Sequence, residues 1–251
     1  MVVLVVLGVR PPAEGKPSAL TRLMSALAPI RQIFRVERHP ARGPAPNPSF
    51  ERASTAPSTA STVARVEPVS PDAARESTRC WLDRVVIGLN LCPFAKAVRN
   101  KDQIRYVVSE ATETPRLRED LRRELVALSK SDPEQVDTTL LIHPYVLADF
   151  LDYNDFLDEA EALLEQLNLV GEIQLASFHP KYQFAGSAPD DLSNYTNRSP
   201  YPMLHLLREA SITRALDGFS DPSRIFEGNI ERLKTLGHDG LRRVTEGENE
   251  R

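Results

Sequence analysis

The sequence predicts an α/β fold with a small, mostly parallel sheet of about three or more strands flanked by helices. Three short segments have the apolar or alternating character of strands: residues 103–109, 138–143 and 172–178. Helical segments separate them, and strands joined in this way favour parallel pairing through right-handed crossovers. An α+β arrangement is the alternative, because three strands do not establish the order of a sheet.

Helices are expected before the first strand. A Pro71-Asp72 pair indicates the start of a helix that extends to about residue 89. Pro93 then restarts the chain and is expected at the first position of a short second helix over residues 94–99. Trp81 lies on the apolar face of the first helix, which predicts that this face is buried.

Two amphipathic helices are expected between the strands. The first begins at Thr114-Pro115 and ends before Asp132-Pro133, and the second covers residues 152–167. Each has apolar residues at helical spacing, which predicts one buried face. The residues expected to face inward are Leu117, Leu121, Leu125 and Leu128 in the first helix, and Phe156, Ala160, Leu163 and Leu167 in the second.

Two further helices are predicted after the third strand. Ser199-Pro200 indicates a helix over residues 200–210. Asp221 and Gly237 indicate the cap and the end of a last helix over residues 222–236.

The chain divides into three parts by composition. Residues 1–71 are rich in Pro, Ala, Ser and Arg and are expected to be a disordered extension, because such a segment buries too little apolar surface. This composition fits both a transit peptide and a start codon assigned too far upstream. Residues 72–241 form the predicted globular domain, and residues 242–251 a charged tail.

Charge and cysteine content exclude several classes of protein. The net charge is -4, and the predicted domain is acidic without a Lys/Arg stripe, which argues against nucleic-acid binding. The apolar start, residues 1–9, is too short to span a membrane. Two cysteines do not form a secreted disulfide framework, so a reducing, cytoplasmic location is expected.

Cys92 is a candidate nucleophile. It precedes Pro93, and a helix that began there would place the thiol at the N-cap, where the helix dipole favours the thiolate. The alternative is that Cys92 packs in an apolar elbow as a small hydrophobe.

His143 and His179 are candidate catalytic groups. Each ends a predicted strand and precedes a proline, at the edge of a parallel sheet where ligands bind. Their alternative role is to terminate the strands. Together with Cys92 or His205 they would suit zinc, but the sequence contains no His-x-x-x-His or Cys-x-x-Cys pair, so no metal ligand is assigned.

An anion site is predicted around Ser199-Pro200. Ser199 would cap the predicted helix, and Arg198 beside it would bind a carboxylate or phosphate. The alternative is that Arg198 pairs with Asp190 or Asp191 and that Asn197 and Ser199 only terminate the loop. The predicted substrate-binding residues are Lys181, Tyr182, Asn197, Arg198, Ser199 and His205.

Five motifs carry a resemblance to a known family: Trp81-Leu82, GLNLCPFA at 88–95, FHP at 178–180, YQFAG at 182–186 and NRSPYP at 197–202. With these motifs, residues 72–241 resemble a bacterial family catalogued as domain-of-unknown-function family 1415. The resemblance implies no substrate, cofactor or catalytic residue.

Three hypotheses follow for the function. The leading one is a cytosolic enzyme that acts on a small anionic substrate through Cys or His chemistry. The second is a non-catalytic module that binds a metabolite or a protein through the same surface. The third is a zinc or copper protein. The sequence identifies neither a cofactor nor an oligomeric state.

Overall fold

The computed structural model describes residues 69–216 and 223–247. Most of the predicted N-terminal extension and the predicted Asp221 cap lie outside these residues. Helix α1 (Pro71–Trp81) continues directly into a π-helical turn (Leu82–Ile87). The other elements, in chain order, are α2 (Ala95–Asn100), β1 (Ile104–Val108), α3 (Thr114–Lys130), β2 (Thr138–Ile142), α4 (Phe150–Gln166), β3 (Ile173–Phe178), a 3₁₀ helix (Leu192–Thr196), β4 (Met203–Arg208), α5 (Glu209–Leu216) and α6 (Ser223–Glu246).

The four strands form one mixed sheet in the order β1-β2-β4-β3. Strands β1 and β2 are parallel, whereas β4 is antiparallel to both β2 and β3. Consequently β1, β2 and β3 point in the same direction, and β4 runs against them between β2 and β3. The predicted class, a small sheet flanked by helices, is confirmed, although the sheet is mixed and not mostly parallel, because β4 pairs antiparallel with both of its neighbours.

The helix predicted over residues 200–210 is wrong. Residues 203–208 are strand β4, all six are buried, and the helix that follows begins only at Glu209. In β4 the apolar residues occupy both faces of the sheet: Met203 and Leu207 lie in one core, Leu204 and Leu206 in the other. A short continuous apolar run of this kind does not separate a buried strand from a buried helix by its periodicity.

Helices cover both faces of the sheet and create two cores. Helices α1, α2, α5 and α6 pack with the π-helical turn on one face, where Trp81 contacts Phe178 edge to face at 5.6 Å between ring centroids. Helices α3 and α4 cover the other face. The predicted inward residues of α3 are confirmed, because Leu117, Leu121, Leu125 and Leu128 are all buried. Those of α4 are buried as well, except that Leu167, the residue after the helix, is half-buried.

Helix boundaries differ from the prediction at two places. Helix α2 begins at Ala95 rather than at Pro93. Gly237 interrupts α6 with φ of 67° and ψ of 176°, yet helical residues resume and reach Glu246, inside the predicted charged tail. The glycine therefore ends the first helical stretch, as predicted, and a second stretch follows across a kink.

Candidate functional site

The two candidate histidines lie at the same edge of the sheet. His143 directly follows β2 and His179 directly follows β3, and both residues are 0% exposed. Strand β4 separates β2 from β3, so the histidines are not on adjacent strands. Tyr153 of α4 contacts both histidines. Its ring stacks on His143 at 5.7 Å and packs against His179 at 5.1 Å between ring centroids.

His143 has one nitrogen engaged and one without a partner. Its Nδ1 lies 3.2 Å from the carbonyl oxygen of Val146, and because a carbonyl only accepts, Nδ1 carries the proton. Nε2 is therefore an unprotonated acceptor, and it has no hydrogen-bond partner among the described residues. An unsatisfied buried group of this kind costs about 1–3 kcal/mol. Burial lowers the pKa of His143 to about 4.

His179 has both nitrogens engaged. Its Nδ1 accepts a hydrogen bond of 3.0 Å from the backbone N–H of Lys181, so the proton lies on Nε2, which donates to the carbonyl of Leu147 at 3.2 Å. Burial lowers the pKa of His179, and the charge of Lys181 acts in the same direction. The two histidines are thus neutral and hold opposite tautomers.

The segment 144–149, between β2 and α4, covers both histidines. Its Val146 and Leu147 carbonyls accept the two imidazole hydrogen bonds. Leu147 has φ of 59°, a left-handed conformation that costs a residue other than glycine about 1–2 kcal/mol. Asp149 closes the segment by capping α4, with its carboxylate 2.8 Å from the N–H of Leu151. Strain and an unsatisfied acceptor therefore occur together at this edge.

Aromatic side chains complete the surroundings. The Tyr153 hydroxyl donates to Met203 O at 2.9 Å and accepts from the N–H of Phe178 at 3.1 Å, which fixes the ring against β3 and β4. Phe150 packs on His179 and on Tyr182 at 5.3 and 5.1 Å. Tyr182 is itself buried, and burial raises the pKa of its phenol to about 12.

Most of the polar motif residues after β3 hold the loop 179–202 together. Asn194 accepts from the N–H of Phe184 and from Ser187 Oγ, and it donates to Ala188 O. Asn197 donates to Ser177 O at 3.1 Å. A buried loop needs such side chains, because its backbone groups have no ladder partner.

No helix begins at Ser199-Pro200, where the sequence predicted an anion site. Ser199 Oγ donates instead to Tyr201 O at 2.7 Å, and no helical N–H groups follow it. The Arg198 guanidinium donates to Tyr182 O and Pro189 O and lies over the Tyr195 ring at 4.4 Å. The expected capping role of Ser199 is therefore wrong, and Arg198 serves the loop through backbone carbonyls.

Cys92 and His205 lie on the opposite face of the sheet from the two histidines. Cys92 is 1% exposed and belongs to the core beneath α1. It does not cap a helix, because Phe94 is the N-cap residue of α2. His205 lies in β4, with Nε2 2.5 Å from Thr138 Oγ1, and its Nδ1 has no partner in the described part of the chain. Burial lowers the pKa of His205 well below its ordinary value.

We expect Cys92 to resist alkylation in the folded protein. Its thiol is enclosed, whereas Cys80 is only half-buried, so iodoacetamide should label Cys80 at least about tenfold faster under native conditions. Peptide mass spectrometry before and after denaturation measures this, with Cys80→Ser as the single-thiol control. Labelling of Cys92 as fast as Cys80 would contradict the buried position.

Neither a metal-binding cluster nor a membrane-spanning helix occurs within residues 69–216 and 223–247. No group of three or more His, Cys, Asp or Glu side chains in these ranges is placed to hold a metal ion. No helix there is both long and apolar enough to cross a bilayer.

Sequence reasoning missed Tyr153, Phe150 and the carbonyls of segment 144–149. Tyr153 lies inside the predicted helix at the same spacing as Phe156 and Ala160, so the pattern itself could have identified it as buried. The carbonyl acceptors leave no signal in the sequence, because every residue has one.

The family model described as protein of unknown function (DUF1415) matches residues 73–243. The chain belongs to this family. The match covers the region that the motifs predicted, from the first turn of α1 to the last turns of α6. No curated protein and no solved structure matches the chain. In this DUF1415 domain, GLNLCPFA includes a glycine with a structural role: a Cβ on Gly88 would lie 2.1 Å from the Arg84 carbonyl oxygen of the π-helical turn.

Proposed function

We propose that this protein is a cytoplasmic enzyme that acts on a small anionic substrate, a carboxylate or a phosphate, through histidine chemistry at the His143–His179 edge of the sheet. The observation that carries the proposal is the His143 Nε2 atom, a buried acceptor without a partner among the described residues. Buried polar groups are almost always paired, so an exception at the edge of a sheet marks a candidate binding position.

Lys181 supports an anionic substrate. It is exposed, and its backbone N–H binds His179, so the ammonium group lies in the same short loop as the imidazole. Its charge lowers the pKa of His179, whereas the nearby carboxylate of Asp149 raises it. An anion at this edge would gain both a cation and the Nε2–H donor of His179.

A role for His143 as proton acceptor follows from its tautomer. Nδ1–H is held by Val146 O, so Nε2 is the atom that can take a proton from a substrate. This proposal uses the histidines and not Cys92, which the sheet separates from them.

Non-catalytic binding is the second candidate, and the pKa of His143 favours it. A base with a pKa of about 4 takes up a proton poorly at neutral pH but still accepts a hydrogen bond. In that case the same residues would hold a metabolite without turnover.

We expect acetate and inorganic phosphate to bind at this edge in the millimolar range. In ¹⁵N-histidine-labelled protein, either anion should shift the ring signals of His179. Lys181→Met should weaken binding by about tenfold, an effect of roughly 1.4 kcal/mol, because the cation is lost. Lys234→Met, an exposed lysine on α6, is the matched control and should change nothing. Unchanged histidine signals with both anions at tens of millimolar would contradict the proposal.

A further inference from the structure

The two imidazoles present opposite hydrogen-bonding capacities at their Nε2 atoms. The Val146 carbonyl holds the proton of His143 on Nδ1, so its Nε2 only accepts. The Lys181 N–H holds the Nδ1 lone pair of His179, so its Nε2 only donates. Each tautomer is set by a backbone group on the far side of the ring, and therefore neither ring can exchange roles without losing that bond.

Only one of these two Nε2 atoms is satisfied in this conformation. His179 Nε2–H donates to the Leu147 carbonyl, a residue held in the left-handed region at φ of 59°. His143 Nε2 has no partner in the described ranges. The Leu147 carbonyl thus occupies the donor, and the acceptor of the other imidazole, which packs against the same Tyr153 ring, is left open.

We propose that the substrate is a small hydroxy acid, an anion with a neighbouring hydroxyl group, which replaces the Leu147 carbonyl. Its carboxylate oxygen accepts the hydrogen bond from His179 Nε2–H, and its hydroxyl donates to His143 Nε2. This inference rests on the proposed function and specifies the substrate class of the same site.

The segment 144–149 must move for this exchange. Its ends are fixed by β2 and by the Asp149 cap of α4, while Ala148 and Asp149 are exposed. Release of the Leu147 carbonyl relieves its left-handed backbone and frees the His179 Nε2–H, while the Val146 carbonyl stays on His143 Nδ1 and keeps its tautomer. One local displacement therefore frees the donor, and the His143 acceptor is already open.

A sharp test compares acids that differ only by the hydroxyl: glycolate with acetate, and 3-hydroxypropionate with propionate. We expect at least one hydroxy acid to bind about tenfold more tightly than its parent acid. The ¹⁵N signal of His143 Nε2 should move with the hydroxy acid and not with the parent acid, because only the hydroxyl donates to that lone pair.

His143→Asn is the informative variant. The asparagine amide keeps a donor for Val146 O but has no atom at the Nε2 position, so the preference for the hydroxy acid over its parent acid should disappear. Should this variant fail to fold, the wild-type Nε2 signal decides the question alone.

The outcomes separate the two proposals. Equal binding of hydroxy and parent acids, with no movement of the His143 signal, overturns the hydroxy acid inference and leaves an anion site. Binding of none of the four acids, and of no phosphate, overturns the proposed function as well. A preference that persists in His143→Asn also overturns this inference.

Discussion

Replacement of Arg208 by Met is expected to lower the free energy of unfolding by roughly 3–5 kcal/mol, because it leaves several buried acceptors unpaired. Arg208 ends β4, is 8% exposed, and its guanidinium donates to the carbonyls of Leu128, Ser131 and Val136. Two of these carbonyls belong to the C-terminal end of α3, where the helix dipole favours a cation. Methionine fills much of the volume but leaves these acceptors unpaired, at about 1–3 kcal/mol for each that water does not reach.

Urea denaturation at neutral pH measures this loss. Arg214→Met is the control, because that side chain is 63% exposed and its ion pair with Asp137 is long, at 4.0 Å. The control should change stability by less than about 1 kcal/mol. Similar losses in the two variants would show that Arg208 does not anchor α3 to β4.

Acidification is expected to destabilise the fold between pH 6.5 and about 4. Burial lowers the pKa of His143 from 6.5 to about 4, so in this window the unfolded chain binds a proton that the folded protein excludes. The contribution of His143 to the free energy of unfolding is therefore fully present above pH 6.5 and is lost as the pH falls. For His143 alone the loss reaches about 2 kcal/mol at pH 5 and about 3 kcal/mol below pH 4.

The His143→Asn variant isolates this contribution. His179 and His205 also have lowered pKa values and act in the same direction, whereas burial raises the pKa of Glu209, which acts oppositely near its own titration. The difference in unfolding free energy between wild type and variant should shrink by about 2 kcal/mol from pH 7 to pH 5. A difference that does not change with pH would mean that His143 is not buried as a neutral base.

Local sequence signals predicted the long helices well. Thr114-Pro115 begins α3, and its four leucines face the core as their spacing requires. These features depend on residues close together in the chain, where capping and periodicity act directly. For the same reason, the positions of His143 and His179 at strand ends were predictable from the two apolar runs that precede them.

Local signals failed where the environment decides the structure. Met203 to Arg208 forms a strand because β2 and β3 pair with it on both sides, although a preceding Ser-Pro pair suggested a helix. Cys92 is not the predicted N-cap, because α2 begins at Ala95, and its side chain lies in a core. Strand pairing and burial depend on distant segments, which no local window contains.

The sequence by itself determined the family, the helical faces and the alternation of helices with strands, because each depends on motifs or periodic patterns within short segments. Only the tertiary structure decided which polar residues hold the loop and which remain available. Asn194 and Arg198 satisfy backbone carbonyls, whereas His143 Nε2 faces no described partner. A side chain's hydrogen-bonding partners are set by the folding of distant segments around it, so its identity alone cannot separate a scaffold residue from a chemical one.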